Sequence, residues 1–86
     1  MTATERILKA LANRRRLKLV STLKRRGSAT VGELAALLEV TLPTASKHLS
    51  ILSSAEVVEY ERRSLRVYYR LADDIPSLAR SILKHL

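Results

Sequence analysis

The sequence predicts a mainly α fold that carries one β-hairpin, in the order helix, helix, helix, helix, hairpin, helix. Three observations lead there. Up to Ala55 the apolar residues recur at helical spacing, punctuated by cap residues and a glycine. After Ala55 the period drops to two across two β-prone runs. From Ile75 the helical stripe returns and runs to Leu86.

In "TERILKALAN" the residues Ile7, Leu8 and Leu11 fall on one side of a helix. Thr4 is the candidate cap, and Asn13 closes this helix or opens the next. "RRRLKLVSTLKRRG" sets Leu17, Val20 and Leu23 on one side and basic residues on the other. Gly27 is its natural stop, and Lys24 to Arg26 suit the negative end of a helix. "TVGELAALLE" opens with Thr30 and Glu33, a capping box in which each side chain satisfies an orphan backbone N–H. Val31, Leu34, Ala35 and Leu38 mark its buried side. Glu39 ends this helix in a left-handed conformation.

"VTLPTASKHLSIL" gives the fourth helix, over residues 41–55. Thr41 is its N-cap, and Pro43 stands in the first turn, where a missing N–H costs little. Ala45, Leu49 and Leu52 lie together with Leu42 near them. Thr44, Lys47 and Ser50 point the other way, and Ser46 and His48 lie on the flanks. "VVEYERRSLRVYYRL", residues 57–71, reads as a hairpin around "RRSL". Val58 and Tyr60 share one face, and Val67, Tyr69 and Leu71 alternate with Arg66, Tyr68 and Arg70. "DDIPSLARSILKHL" places Ile75, Leu78, Ile82, Leu83 and Leu86 on a last helical stripe, with Asp73 or Asp74 as cap.

The 86 residues make one domain, 1–86, with a small core that lacks Phe and Trp. Without cysteine there is no disulfide, thiolate metal site or cysteine nucleophile. Oligomerisation is the staple that remains for so small a chain. The net charge of +8 points to a polyanionic partner, nucleic acid before anionic membrane. No apolar run approaches the roughly 18 residues of a spanning helix, and no signal-peptide pattern opens the chain. The expected location is the cytoplasm, with no membrane partner. Two histidines, two glycines and no phosphate-cradling loop argue against an enzyme.

The third and fourth helices, joined at Glu39 to Thr41, have the helix-turn-helix layout, and the hairpin behind them is a wing. A recognition helix reads base edges in the major groove with its N-terminal residues. Hydroxyls, lysine and backbone N–H groups at its start meet phosphates. The face made by Thr41, Pro43, Thr44, Ser46, Lys47, His48 and Ser50 suits that work, since no acid occurs from Val40 to Ala55. Arg62, Arg63 and Arg66 supply the wing's phosphate contacts. The expected partner is double-stranded DNA, bound by a sequence-specific transcriptional regulator. A winged-helix module that binds protein or RNA without operator specificity is the alternative.

"LKALANRRRLKLVSTL", "VGELAALLEVTLPTASKHLSIL" and "RVYYRL" together resemble the ArsR family of winged helix-turn-helix repressors, over roughly residues 7 to 71. The resemblance implies a homodimer whose first and last helices pack across a two-fold axis, through Ile7, Leu8, Leu11, Leu78, Ile82 and Leu83. It also implies repression by binding a palindromic operator. The chain departs from the family's pattern at several points. Arg14 and Arg15 follow "LAN" where Pro-Thr is common. Glu39 and Ser64 stand where glycine is common, and Leu42 where a polar Gln often precedes the proline. The family's metal sites do not carry over: "SATVGELA" has no cysteine, and Asp73, Asp74 and His85 are too few for a site on the last helix. No cofactor is expected.

Overall fold

A computed structural model describes residues 1–86. Its elements are α1 (Ala3–Leu11), α2 (Arg14–Arg26), β1 (Ser28–Thr30), α3 (Val31–Leu38), α4 (Leu42–Ser54), β2 (Val58–Arg63), β3 (Arg66–Leu71) and α5 (Ser77–Leu83). The predicted five helices and hairpin are all present. No helix is long and apolar enough to cross a membrane.

The caps explain most boundaries. Thr2, not Thr4, opens α1: its hydroxyl accepts from Glu5 N–H at 3.1 Å, and Glu5 accepts from Thr2 N–H at 3.0 Å. The pairing needs a Glu three residues on, and only Thr2 has one. Asn13 opens α2, its Oδ1 accepting from Arg16 N–H at 3.0 Å. Gly27, with φ of 91°, ends α2 in a conformation that side chains disfavour. Thr30 and Glu33 form the expected box around α3. Neither Asp73 nor Asp74 caps α5. They lie upstream in the turn, where Asp73 pairs with Arg70 at 2.9 Å, and Pro76 holds the cap position with no side-chain bond. Lys24 Nζ instead donates to the Leu83 carbonyl at 2.9 Å, satisfying the far end of α5.

The three-residue β1 is an element that the sequence does not predict. It pairs antiparallel with β3, placing Ala29 opposite Tyr69 and Thr30 opposite Tyr68. The sheet order is β1-β3-β2. Between β2 and β3, Val58 faces Leu71, Tyr60 faces Tyr69 and Arg62 faces Val67, so the predicted faces of the hairpin hold.

The core collects Leu19, Val20 and Leu23 of α2, Leu34 of α3, Leu49 and Leu52 of α4, and Val57 at the hairpin base. Each such side chain contributes about 1.5–3 kcal/mol by leaving water. Thr22 is the one buried polar residue, and its hydroxyl donates to the Lys18 carbonyl at 2.8 Å.

Of the dimer contacts implied by the family resemblance, Ile7, Leu11 and Leu83 are buried in this chain's own core. The small core draws on both terminal helices because it has no large aromatic to fill it. Leu8 remains 49% exposed, and Leu78 and Ile82 are half-buried at the core's edge. Leu42, expected near the apolar side of α4, is 54% exposed, because it sits in the first turn ahead of the buried stripe.

Candidate nucleic-acid interface

The approach to α4 is fixed by backbone geometry. Glu39 adopts φ 57° and ψ 44°, the predicted left-handed conformation. Around it Val40 N–H donates to the Ala35 carbonyl at 3.0 Å and Glu39 N–H to Ala36 at 3.1 Å. These two bonds make a Schellman motif that turns the chain sharply out of α3. Thr41 then caps α4: its hydroxyl lies 3.4 Å from Thr44 N–H and donates to Thr44 Oγ1 at 3.0 Å. Pro43 occupies the first turn.

Below, the fully buried Ala45, Leu49 and Leu52 fasten α4 to the body, where it packs on α1, α2, α3 and β2. Above, Thr41, Pro43, Ser46, Lys47 and Ser50 are exposed, and Thr44 and His48 are half-buried. The seven residues predicted from the sequence thus lie along the accessible side of one anchored helix. Lys47 carries the only formal charge among them.

His48 is not simply a flank. Its Nδ1 lies 3.1 Å from Arg16 Nη1. The same guanidinium donates through Nε to the Ala10 carbonyl at 2.6 Å and through Nη2 to Lys9 at 3.2 Å. Partial burial, then the positive charges of Arg16, Arg15 and Lys47, push the imidazole below its ordinary value. In the sequence Arg16 is one member of a basic cluster. Nothing in "RRR" distinguishes the arginine that turns inward from the two that stay exposed.

The wing ends in a two-residue turn. Ser64, the first of the two, has φ of 58°, in the left-handed region, and Leu65 has no positive φ. Leu65 is 95% exposed at the tip. Arg62 and Arg66 are exposed and make no ion pair within the chain. Arg63 differs: it is bound to Glu61 and lies over the Tyr68 ring at 5.2 Å. That pairing holds the Glu61 carboxyl below its usual range. Further down, Arg70 bridges Glu59 at 2.7 Å and Asp73 at 2.9 Å. The acids of the hairpin are therefore occupied by arginines, which leaves Arg62 and Arg66 as its uncompensated cations.

Comparison with known proteins places this arrangement. Residues 6–61 match the helix-turn-helix domain family. The chain is 43% identical over 68 residues to the biofilm growth-associated repressor of Agrobacterium fabrum, covering 79% of this chain and 57% of that protein. It is 37% identical over 70 residues to the arsenical resistance operon repressor of Bacillus subtilis, covering 81% of this chain and 67% of that one. The chain thus spans about three fifths to two thirds of the length of these relatives. Among solved structures, it resembles the homodimeric winged helix-turn-helix DNA-binding domain Mb0332 of Mycobacterium bovis, described as a possible ArsR-family transcriptional regulator. The TM-score is 0.82 and the identity 34%, over 96% of this chain and 73% of that one. On these matches, and on the fold they share, the chain belongs to the helix-turn-helix family and, within it, to the ArsR-type winged helix-turn-helix proteins.

Proposed function

We propose that the chain is a cytoplasmic, homodimeric, sequence-specific DNA-binding regulator that represses transcription. It inserts α4 into the major groove of a palindromic operator and lays the hairpin along the adjoining backbone. One observation carries the reading: the accessible side of α4 offers hydroxyls, an imidazole and a lysine with no carboxylate from Val40 to Ala55. Such a surface can approach phosphates closely and still hydrogen-bond base edges. The two relatives named above are both called repressors, and the Mycobacterium bovis domain is described as homodimeric and DNA-binding. The whole of residues 1–86 acts as one DNA-binding unit, with α1 and α5 facing the second copy.

Selection of duplexes from a random pool, followed by sequencing, tests this. A palindrome with half-sites about one helical turn apart is the expected product. Enrichment of no duplex, or of single-stranded RNA in a parallel pool, favours a winged helix that serves another partner.

A further inference from the structure

We propose that Arg16 is a positioning residue for DNA binding, which holds His48 as a neutral imidazole with its Nε2–H left to donate to the nucleic acid. The inference rests on the DNA-binding reading above and deepens it.

The geometry comes first. Arg16 is the third residue of α2, and its backbone is fixed by the Asn13 cap. Its side chain reaches back to the carbonyls of Lys9 and Ala10 at the end of α1. Those carbonyls belong to the last turn, which lacks intrahelical donors and carries the negative end of the helix dipole. A cation is well placed there, and its third nitrogen is directed at His48. One guanidinium thus ties the end of α1, the start of α2 and the middle of α4.

The chemistry then fixes the histidine. A guanidinium only donates, and it stays protonated in proteins. His48 Nδ1 must therefore offer its lone pair, and the single ring proton of a neutral imidazole sits on Nε2. That N–H has no partner within the chain. The charges facing His48 are Arg15 and Arg16 from α2 and Lys47 from its own helix, all positive. A second proton would meet three cations and would remove the acceptor that Arg16 uses. At neutral pH His48 accordingly supplies a directed donor, suited to a phosphate oxygen or to a purine acceptor in the groove.

The test has two arms. In the free protein, nitrogen-15 NMR of the ring should show the Nε2–H tautomer. It should titrate below the ordinary pKa of about 6.5 and move back up in Arg16→Met. An Nδ1–H tautomer, or a midpoint at or above the ordinary value, overturns the clasp, whatever the DNA does. The second arm measures binding to the selected duplex and to random duplex between pH 8 and 5.5. Wild-type affinity should be level above the ordinary histidine range and fall below it. His48→Gln, which can accept from Arg16 and donate outward but does not titrate, should bind more tightly than His48→Leu and lose that pH dependence. His48→Leu should bind about tenfold more weakly, the value of one hydrogen bond. Loss on the selected duplex alone assigns the donor to a base, and equal loss on both assigns it to a phosphate. Affinity that rises on acidification in wild type but not in His48→Gln shows an imidazolium at work and overturns the proposal. So does a His48→Leu variant that binds like wild type. A chain that selects no duplex removes the DNA reading and the donor's role with it, while the tautomer and midpoint measured in the free protein still decide whether the clasp forms.

Discussion

Glu39 and Glu56 hold the same station in successive helices. Glu56 has φ of 61°, and beyond it Val57 N–H donates to Leu52 at 3.0 Å while Glu56 N–H donates to Ser53 at 2.9 Å. Both α3 and α4 therefore leave through a Schellman turn whose left-handed residue carries a side chain. That conformation costs a side-chain-bearing residue roughly 1–2 kcal/mol. Glycine removes the strain but adds about 0.4–1 kcal/mol of unfolded-state entropy to be lost on folding. Glu39→Gly and Glu56→Gly should each stabilise the protein by up to about 1 kcal/mol, read as a higher urea midpoint with an unchanged slope. A lower midpoint in either variant would mean that the glutamate side chain makes a compensating contact. Glu39 was legible because it stands in the helix-turn-helix turn, where the family that the chain resembles commonly has glycine. Glu56 was not, since the switch from helical to alternating period blurs where α4 stops.

At the scale of elements, the wing's three arginines are unequal. Arg62 and Arg66 are free, and Arg63 is held by Glu61 and Tyr68. Each phosphate contact adds about 0.9 to the slope of log affinity against log salt. Arg62→Ala with Arg66→Ala should flatten that slope by up to about two units, on selected and random duplex alike, and Arg63→Ala should flatten it less. Equal effects at all three would show that DNA breaks the Glu61 pair. Thr44→Ala and Ser46→Ala should instead narrow the gap between selected and random duplex, by up to about 1–3 kcal/mol for a lost base contact. The hairpin's faces could be read from alternation alone, because a half-buried strand must repeat every two residues. The strand β1 could not: three residues carry no period, and Thr30 announces itself as a helix cap. The cap of α5 misled for the opposite reason, since two aspartates precede the helix and the chain spends one of them on Arg70.

For the whole molecule, the question is which apolar surface the chain keeps for itself. The sequence groups Ile7, Leu8 and Leu11 as equals, because a helical stripe does not say how much of its width one chain can cover. The fold takes Ile7 and Leu11 inward and leaves Leu8 out. In the proposed dimer, Leu8→Asp should give a folded monomer with native circular dichroism, since a charge there is buried only by a partner. Ile82→Asp, half-buried already, should weaken folding as well as association. Sedimentation of wild type and Leu8→Asp at micromolar concentration decides this, and a monomeric wild type would sink the dimer.

The pairing of β1 with β3 has a consequence in time. Thr30 ends β1 opposite Tyr68 and also caps α3, so the base of the hairpin and the helix-turn-helix share a residue. Beyond Tyr68 only β2 and the two-residue turn support the strand. The amides of β3 that bond to β1 near Tyr69 should exchange with solvent only as slowly as the protein unfolds, while those at Ser64 and Leu65 exchange by local fraying. Hydrogen exchange would separate a hairpin that swings as a whole from one whose root keeps the pace of the core and whose tip searches on the faster scale of a loop.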